Sequence, residues 1–262
     1  MSRRFLFLLS LTLLFTGTLA AMLTRYAQPM HATLSPSVAA PLPLPAARAA
    51  MAGMITVNSN GTAIANDGVC TLPEAIIAAN TDTASGAMAG ECAAGMAGAD
   101  TITLPAGATI TLTTAHNTTT GVNGLPVVTS PITIEGNSAT VTRDAAALPF
   151  RFFEIAGMGN LTLNDLTLSD GLETSGFGQG GAILVNSGRT LVVNRSTLRR
   201  NGAFNDGGAI ANDGGNVTLS FSTFSDNFAI DSDGGAYSSQ KPATKIKVKK
   251  RLLEGNNENS ND

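Results

Sequence analysis

Short apolar-Thr-apolar triplets recur along the chain from residue 102 onward. They are Ile102–Leu104, Ile110–Leu112, Ile132–Ile134, Leu161–Leu163, Leu166–Leu168 and Val217–Leu219. An alternation with period two puts both apolar side chains on one face of a β-strand and the threonine on the other face. Gly, Asn and Asp fill the stretches between the triplets, as turns require. The pattern predicts a series of short strands, each with one face to bury.

A Gly-Gly-Ala triplet recurs at a fixed interval and predicts how these strands assemble. Gly180-Gly181, Gly207-Gly208 and Gly234-Gly235 each precede an alanine, 27 residues apart (207 − 180 and 234 − 207). Such a period marks a solenoid, in which each repeat stacks on the next. We interpret the glycines as turn residues at tight bends or at positive φ. Because the repeat has no helical period, we predict an all-β, right-handed parallel β-helix.

One segment departs from the strand pattern and predicts a short helix near residues 71–80. Thr71 can cap its first turn, and Glu74, three residues later, completes a capping box. Ile76 and Ile77 would give the helix an apolar face. Since the open end of a solenoid must be covered, we predict that this helix is an N-terminal cap that packs on the first coil.

The N-terminus has the three-part pattern of a secretory signal. Arg3-Arg4 is followed by the apolar run Phe5–Phe15, and Thr18-Leu19-Ala20 offers a small-residue cleavage site. We assign residues 1–20 to a signal peptide; the alternative is an uncleaved membrane anchor. Residues 21–54 are rich in Ala and Pro and predict an extended linker. No other segment predicts a membrane span.

Charge and aromatic content narrow the class of partner. Residues 55–239 carry sixteen Asp and Glu against six Arg, a net charge of −10 (6 − 16). An acidic body argues against nucleic acid, which is bound through basic patches. Trp is absent, which weighs mildly against a dedicated sugar-binding site.

The chain has two cysteines, Cys70 and Cys92. In an exported protein they are expected to pair, and closing a loop of this size would stabilise the fold by roughly 3 kcal/mol. The alternative is two free buried thiols. A zinc site is not indicated, because no CxxC motif is present.

The segment Asp67–Asn80, with Cys-Thr-Leu-Pro-Glu-Ala at residues 70–75, resembles the CSLREA domain, an N-terminal module of bacterial exported proteins. Glu91-Cys92 and Ala99–Gly107 also fit that domain, whereas Thr71 and Pro73 depart from its six-letter core. The Gly-Gly-Ala-Ile units resemble repeats of polymorphic outer-membrane proteins. These resemblances imply a CSLREA-like capping module at 55–115 and β-helix coils at 116–239, and they bring no catalytic residues.

The acidic turn residues are the only candidate ligands for a cofactor. Asp206 and Asp233 lie one repeat apart, each directly before Gly-Gly, and Asp231 is close by in sequence. Stacked carboxylates could bind Ca²⁺ or, as a remoter alternative, act as a glycosidase pair; otherwise they are solvated turn residues. Apart from Ca²⁺, the sequence indicates no cofactor.

Residues 240–262 differ in composition from the rest of the chain. All five lysines lie between Lys241 and Lys250. In one interpretation, Ile246 and Val248 cover the last coil while the lysines blunt its exposed edge. In the other, the tail is foreign, frameshifted sequence without a fixed structure. The abrupt change from arginine to lysine favours the second.

These observations predict an exported cell-surface or secreted scaffold of a bacterium, in the extracellular space or at the outer membrane, with adhesion as a candidate role and no catalytic activity. The partner would be an unknown surface ligand or a polysaccharide. The alternative is a carbohydrate-active enzyme, either a polysaccharide lyase or a glycoside hydrolase, on the same fold, because fold alone does not fix function.

Overall fold

Short parallel strands make up most of the regular secondary structure. The computed structural model describes residues 52–118, 120–176, 178–231 and 234–239, and the backbone of 253–254. The predicted signal peptide (1–20), nearly all of the linker (21–54) and most of the lysine-rich tail (240–262) lie outside these ranges.

The elements follow one another as short segments with brief turns. The N-terminal part contains β1 (Met54–Thr56), α1 (Leu72–Thr81), β2 (Asp100–Thr103) and β3 (Thr109–Leu112). The middle contains β4 (Pro131–Arg143), β5 (Phe153–Ile155), β6 (Asn160–Ser169) and β7 (Leu172–Glu173). The later strands are β8 (Ile183–Val185), β9 (Thr190–Asn194), β10 (Thr197–Arg199), β11 (Gly202–Ala203), β12 (Ile210–Asn212), β13 (Asn216–Ser220), β14 (Thr223–Ser225), β15 (Phe228–Ala229), β16 (Tyr237–Ser239) and β17 (Leu253–Glu254).

The strands form three sheets that run along the stack. The long sheet has the order β1-β2-β4-β6-β10-β14-β17, with β3 beside β4, β9 beside β6 and β13 beside β9. The other two sheets have the orders β7-β11-β15 and β5-β8-β12-β16. Successive coils supply neighbouring strands in each sheet, and the strand pairs are parallel. The chain is therefore a parallel β-solenoid of about five turns, which confirms the predicted fold class.

Strand register gives the length of each coil. Phe153, Ile183, Ile210 and Tyr237 are successive partners, at steps of 30, 27 and 27 residues (183 − 153, 210 − 183, 237 − 210). Leu198 pairs with Phe224, a step of 26. The 27-residue period is thus the local spacing of one sheet, whereas other sheets and earlier coils use other steps.

The corners of each coil are made by residues at positive φ. β4 shifts register between Glu135 and Ala139, and later coils break at the same corner into two strands, β9 with β10 and β13 with β14. The first corner is occupied by Asp165 (φ 49°), Arg195 (φ 47°) and Phe221 (φ 51°). The second corner is occupied by Asp170 (φ 67°), Arg200 (φ 52°) and Asp226 (φ 55°).

The core lies inside the coils and consists of stacked apolar rows. One row contains Ile102, Ile134, Leu163, Val193 and Leu219, which are successive strand partners and are all buried. Burying an Ile, Leu or Val side chain contributes roughly 1.5–3 kcal/mol, so these rows supply the main stabilisation that a single short strand lacks. Among the described residues, no helix is long and apolar enough to cross a membrane.

A buried asparagine ladder marks the corner between the long sheet and β11. Asn201 and Asn227 are fully buried, and the Asn227 Oδ1 atom accepts hydrogen bonds from both the backbone N and the Nδ2 of Asn201, each at 3.0 Å. The Asn201 Oδ1 atom in turn accepts from the backbone N of Gly171 at 2.9 Å. The ladder satisfies backbone groups that a bend would otherwise leave unpaired.

Candidate functional site

A disulfide fixes the N-terminal module. Cys70 and Cys92 are bonded, with their Cα atoms 4.6 Å apart, which confirms the predicted pairing. Both residues belong to the buried core. The bridge connects the residue before the N-cap of α1 to the loop that leads to β2, so it holds the helix at the end of the stack.

Helix α1 begins with the predicted capping box. The Thr71 Oγ1 atom accepts from the backbone N of Glu74 at 3.5 Å, and the Glu74 carboxylate accepts from the backbone N of Thr71 at 2.9 Å. The second oxygen of Glu74 accepts from the backbone N of Ala65 at 2.8 Å. A buried carboxylate is tolerated here because several donors surround it.

The structure distinguishes the two isoleucines of this helix. Ile76 is fully buried and belongs to the core, whereas Ile77 is half-buried and is not part of it. Most of the helix is buried, namely Leu72, Pro73, Glu74, Ala75, Ile76, Ala78 and Ala79. Ile77 is therefore less buried than its neighbours, and its packing on the first coil stays a prediction.

Each Gly-Gly pair performs two separate tasks. The first glycine has positive φ: +65° at Gly180, +65° at Gly207 and +88° at Gly234. The second glycine lies where backbones of adjacent coils meet: a Cβ at Gly208 would come within 2.2 Å of the Phe228 carbonyl oxygen and 2.4 Å of the Gly235 carbonyl oxygen. The following alanines are buried. The repeat is thus imposed by close backbone packing.

The predicted calcium ligands are only partly described. The backbone carbonyl of Asp206 accepts from Gly180 N at 2.9 Å, and the backbone N of Asp231 donates to Phe204 O at 2.8 Å. Asp233 lies outside the described residues. Within the described ranges, no group of three or more His, Cys, Asp or Glu could hold a metal ion. Calcium binding at this turn stays a prediction.

The outer face of the long sheet carries a continuous row of threonines. Thr109, Thr140, Thr167, Thr197 and Thr223 are successive partners in five adjacent strands. Neighbouring strands lie about 4.8 Å apart, so the hydroxyls repeat at that interval. All five side chains are at least partly exposed. We call this set the threonine row.

A second polar row runs beside it, on the other side of the first corner. Glu135, Asn164, Asn194 and Ser220 follow one another in register and are joined side chain to side chain: Asn164 donates to Glu135 at 2.7 Å, Asn194 donates to Asn164 at 3.0 Å, and Ser220 donates to Asn194. These bonds fix the side chains in one orientation. The outer face therefore presents regular hydroxyl and amide groups.

Ion pairs lie at the two corners that flank the threonine row. Arg195 contacts Asp165 at 2.6 Å, and Arg200 contacts Asp170 at 2.7 Å, in both cases across one coil. The hydrogen bond from Arg195 lowers the pKa of the exposed Asp165 carboxyl. At Asp170, burial alone would raise the pKa, but bonds from Arg200, Ser169 and Thr142 outweigh it and the pKa is lowered. The carboxylates of Asp165 and Asp170 therefore stay ionised at neutral pH.

A buried charged cluster lies under the loop of residues 117–123. Arg151 and Glu173 are fully buried, with Arg151 Nη2 3.3 Å from Glu173 Oε2, and Glu154 is 2 % exposed. Burial lowers the pKa of the Arg151 guanidinium, and the charges of Glu173 and Glu154 oppose this shift. In the described part of the chain, the Arg151 nitrogens make no hydrogen bond that satisfies distance and angle limits.

The two glutamates hold the loop in place. The Glu154 carboxylate accepts from Asn123 Nδ2 at 2.8 Å, from Asn186 Nδ2 at 3.0 Å and from the Thr120 hydroxyl. The Glu173 carboxylate accepts from the backbone N of Val122 at 2.7 Å and of Ser175 at 2.8 Å. Every carboxylate oxygen of the pair thus has a donor.

A cleft opens beside this loop. It has a volume of about 650 Å³ and is lined by Thr118, Thr120, Gly121, Val122, Ser175, Gly176 and Gln179. An adjoining cleft of about 630 Å³ shares Thr118, Val122 and Ser175. Gly121 lies directly over Arg151, because a Cβ there would be 2.1 Å from Nη2. The cluster is therefore beneath the cleft floor and not on it.

The sequence prediction did not include Arg151, Glu154 or Glu173. A signal was present, because the stretch Phe150–Ile155 places Arg and Glu inside an otherwise apolar run. Charges in such a run are rarely buried unless they are paired. The pairing of Arg151 with Glu173 could not be predicted from the sequence, because only the coil brings these distant residues together.

Comparison with models of known protein families, with curated protein sequences and with solved structures finds no match to this chain.

Proposed function

We propose that this chain is an exported bacterial scaffold, at the cell surface or secreted, which binds a polysaccharide on the outer face of its long sheet and catalyses no reaction. The observation that carries the proposal is the threonine row with the amide row beside it. Hydroxyls and amides donate and accept hydrogen bonds, as the hydroxyls of a polysaccharide do. A face whose polar groups repeat from coil to coil matches a polymer whose groups also repeat.

Export is supported by two features. The N-terminus has the charged, apolar and small-residue parts of a secretory signal. The Cys70–Cys92 bridge belongs to the oxidising conditions met after export. On this proposal the mature protein begins after about residue 20 and reaches the outer surface or the medium.

We further propose that residues 55–115 are a CSLREA-like module whose role is to cap the first coil. Three features support this: the capping box at Thr71 and Glu74, the burial of Ile76, and the disulfide that anchors α1. The module would then end the solenoid at its N-terminal side, and the coils would carry the binding face.

Binding is tested by co-sedimentation of the purified protein with insoluble polysaccharides. We expect the protein to sediment with at least one of them, and Thr167→Arg with Thr197→Arg to abolish this. Ser187→Arg is the matched control, since Ser187 is an exposed residue on the turn before β9. Equal sedimentation of both variants and the parent, or none by the parent on any polymer, would contradict the proposal.

A carbohydrate-active enzyme is the second candidate, favoured by the cleft beside two buried glutamates. The geometry gives it less support, because both carboxylates are engaged in holding the 117–123 loop. A screen for product release from pectin, alginate and plant polysaccharides, with and without Ca²⁺, separates the two. Activity in the parent that is lost in folded Glu154→Gln and Glu173→Gln variants would replace the scaffold by an enzyme.

A further inference from the structure

The strand β17 carries information about the lysine-rich tail. Leu253 pairs in parallel with Phe224, and Glu254 pairs with Ser225. The step from Phe224 to Leu253 is 29 residues (253 − 224), against steps of 30 and 26 earlier in the same ladder (198 − 168, 224 − 198). A coil-length step means that the chain returns to the stack after one more turn.

The same step of 29 brings an alternating segment over β13. It places Ile246 on Val217 and Val248 on Leu219, which are inward positions, 3 % and 8 % exposed. It places Lys245, Lys247 and Lys249 on the outward positions of β13. The alternation of apolar and charged residues thus agrees with the inside and outside of the coil. The 27-residue period alone would shift this segment by two residues, so only the paired strand fixes the alignment.

Two further residues agree with this step. Asn256 falls on Asn227, the last member of the buried asparagine ladder. Gly255 falls on Asp226, whose φ is 55°. Glycine adopts positive φ more easily than any other residue. A foreign sequence would have no reason to supply an inward Asn and a corner Gly at these two places.

The end of the stack has a strand edge for this segment to pair with. Among the described strands, β13 pairs on one side only, with β9. A free parallel edge attracts other strands, and outward lysines are a common means of preventing this.

We propose that the C-terminal end of the solenoid is a docking surface whose occupant is this chain's own segment 245–256. The segment forms one more coil, in which Ile246 and Val248 extend the core rows and Asn256 extends the asparagine ladder. The lysines then form a positively charged border that opposes end-to-end pairing of molecules. This replaces the interpretation of the tail as foreign sequence, and it is independent of the polysaccharide proposal.

Engineered disulfides test the register. Thr218 and Lys247 would face outward on adjacent strands about 4.8 Å apart, within the Cα range of a disulfide. We expect Thr218→Cys with Lys247→Cys to form the cross-link under native conditions, as detected by peptide mass mapping without reductant. The control pair, Thr218→Cys with Lys249→Cys, is two residues out of register and should cross-link far less. Equal yields from the two pairs, or none from either, would overturn the proposal.

The association state of the protein in solution provides a second test of the docking proposal. Ile246→Asp with Val248→Asp should lower the melting temperature and give concentration-dependent association, because the end is uncovered. Lys245→Ser with Lys247→Ser should leave the melting temperature close to that of the parent while still promoting association. An unchanged melting temperature and monomeric state in the Ile246→Asp with Val248→Asp variant would contradict docking.

Discussion

At the scale of single residues, the fold depends on a few positions where the surroundings allow only one kind of side chain. Gly208 is such a place, since a Cβ there would clash with two carbonyl oxygens of the following coil. Arg151 is another, because its charge is buried next to Glu173 with no exposed surface.

The close packing at Gly208 predicts that replacement by alanine costs much more stability there than at Gly176. Gly208→Ala should destabilise the protein by about 1–3 kcal/mol, because backbone atoms have to move. Gly176→Ala is the control, since nothing lies within 4 Å of a Cβ there. For a domain of this size each kcal/mol lowers the melting temperature by about 2–4 °C. Equal melting temperatures by calorimetry would show that the coils can separate at no cost.

The buried ion pair of Arg151 and Glu173 predicts that mutations at these two residues have coupled effects on the free energy of unfolding. Arg151→Met should cost roughly 3–5 kcal/mol, because it leaves the Glu173 carboxylate buried without its counter-charge. Adding Glu173→Gln should recover part of that loss, since the amide oxygen can still accept from the backbone N of Val122. Denaturant unfolding of the parent, both single variants and the double variant gives the coupling energy. Additive effects, within about 0.5 kcal/mol, would mean that the two charges do not interact.

At the scale of elements, α1 closes the N-terminal end with most of its residues. Leu72, Ala75, Ile76, Ala78 and Ala79 are buried, whereas Ile77 is half-buried. Apolar composition alone suggests both isoleucines as core residues, and the structure distinguishes them by burial. The two residues therefore form a matched pair for testing the cap.

Ile76→Asp should unfold the N-terminal end, because burying an unpaired charge costs several kcal/mol. Ile77→Asp should change the free energy of unfolding by about 1 kcal/mol or less, since its side chain reaches solvent. Thermal unfolding followed by circular dichroism compares the two. Similar losses in both variants would mean that the helix packs differently or that Asp acts through helix propensity.

The strand rows were the most predictable elements. Apolar-Thr-apolar spacing and the Gly-Gly period specify parallel stacking, and the predicted step of 27 residues is confirmed between β8, β12 and β16. Step lengths of 29–32 in earlier coils were not predictable, because their turns carry no repeated glycine pair. Of the threonine row, only Thr167 belongs to one of the apolar-Thr-apolar triplets, and the alignment of the row across five strands depends on those steps. Arg151 and Glu173 meet for the same reason: coil geometry, not local sequence, brings them together.

At the scale of the whole molecule, the solenoid is a linear array in which each coil contacts its neighbours only. The stability of such an array is a sum over coils and the contacts between them. Its two ends therefore decide whether it unravels. The N-terminal end is held by a covalent bond, and the C-terminal end, on our proposal, by an additional coil.

Removing the disulfide should therefore act locally first. Cys70→Ser with Cys92→Ser should cost roughly 3 kcal/mol through the entropy of the unfolded loop. Hydrogen exchange should show that β1 and β2 lose protection before β8 to β14 do. Reductant should destabilise the parent but have no effect on this variant. Simultaneous loss of protection along the whole chain would show that the coils unfold as one cooperative unit.

The direction of the strand pairing has a mechanical consequence. In parallel ladders the hydrogen bonds run from coil to coil, along the axis of the stack. A pulling force on one end loads only the bonds of the outermost coil, so coils should peel away singly. Each released coil of 27 residues adds roughly 90 Å of extended chain. A molecule of this kind, fixed to a surface at one end, would lengthen in steps under tension while the remaining coils keep their shape.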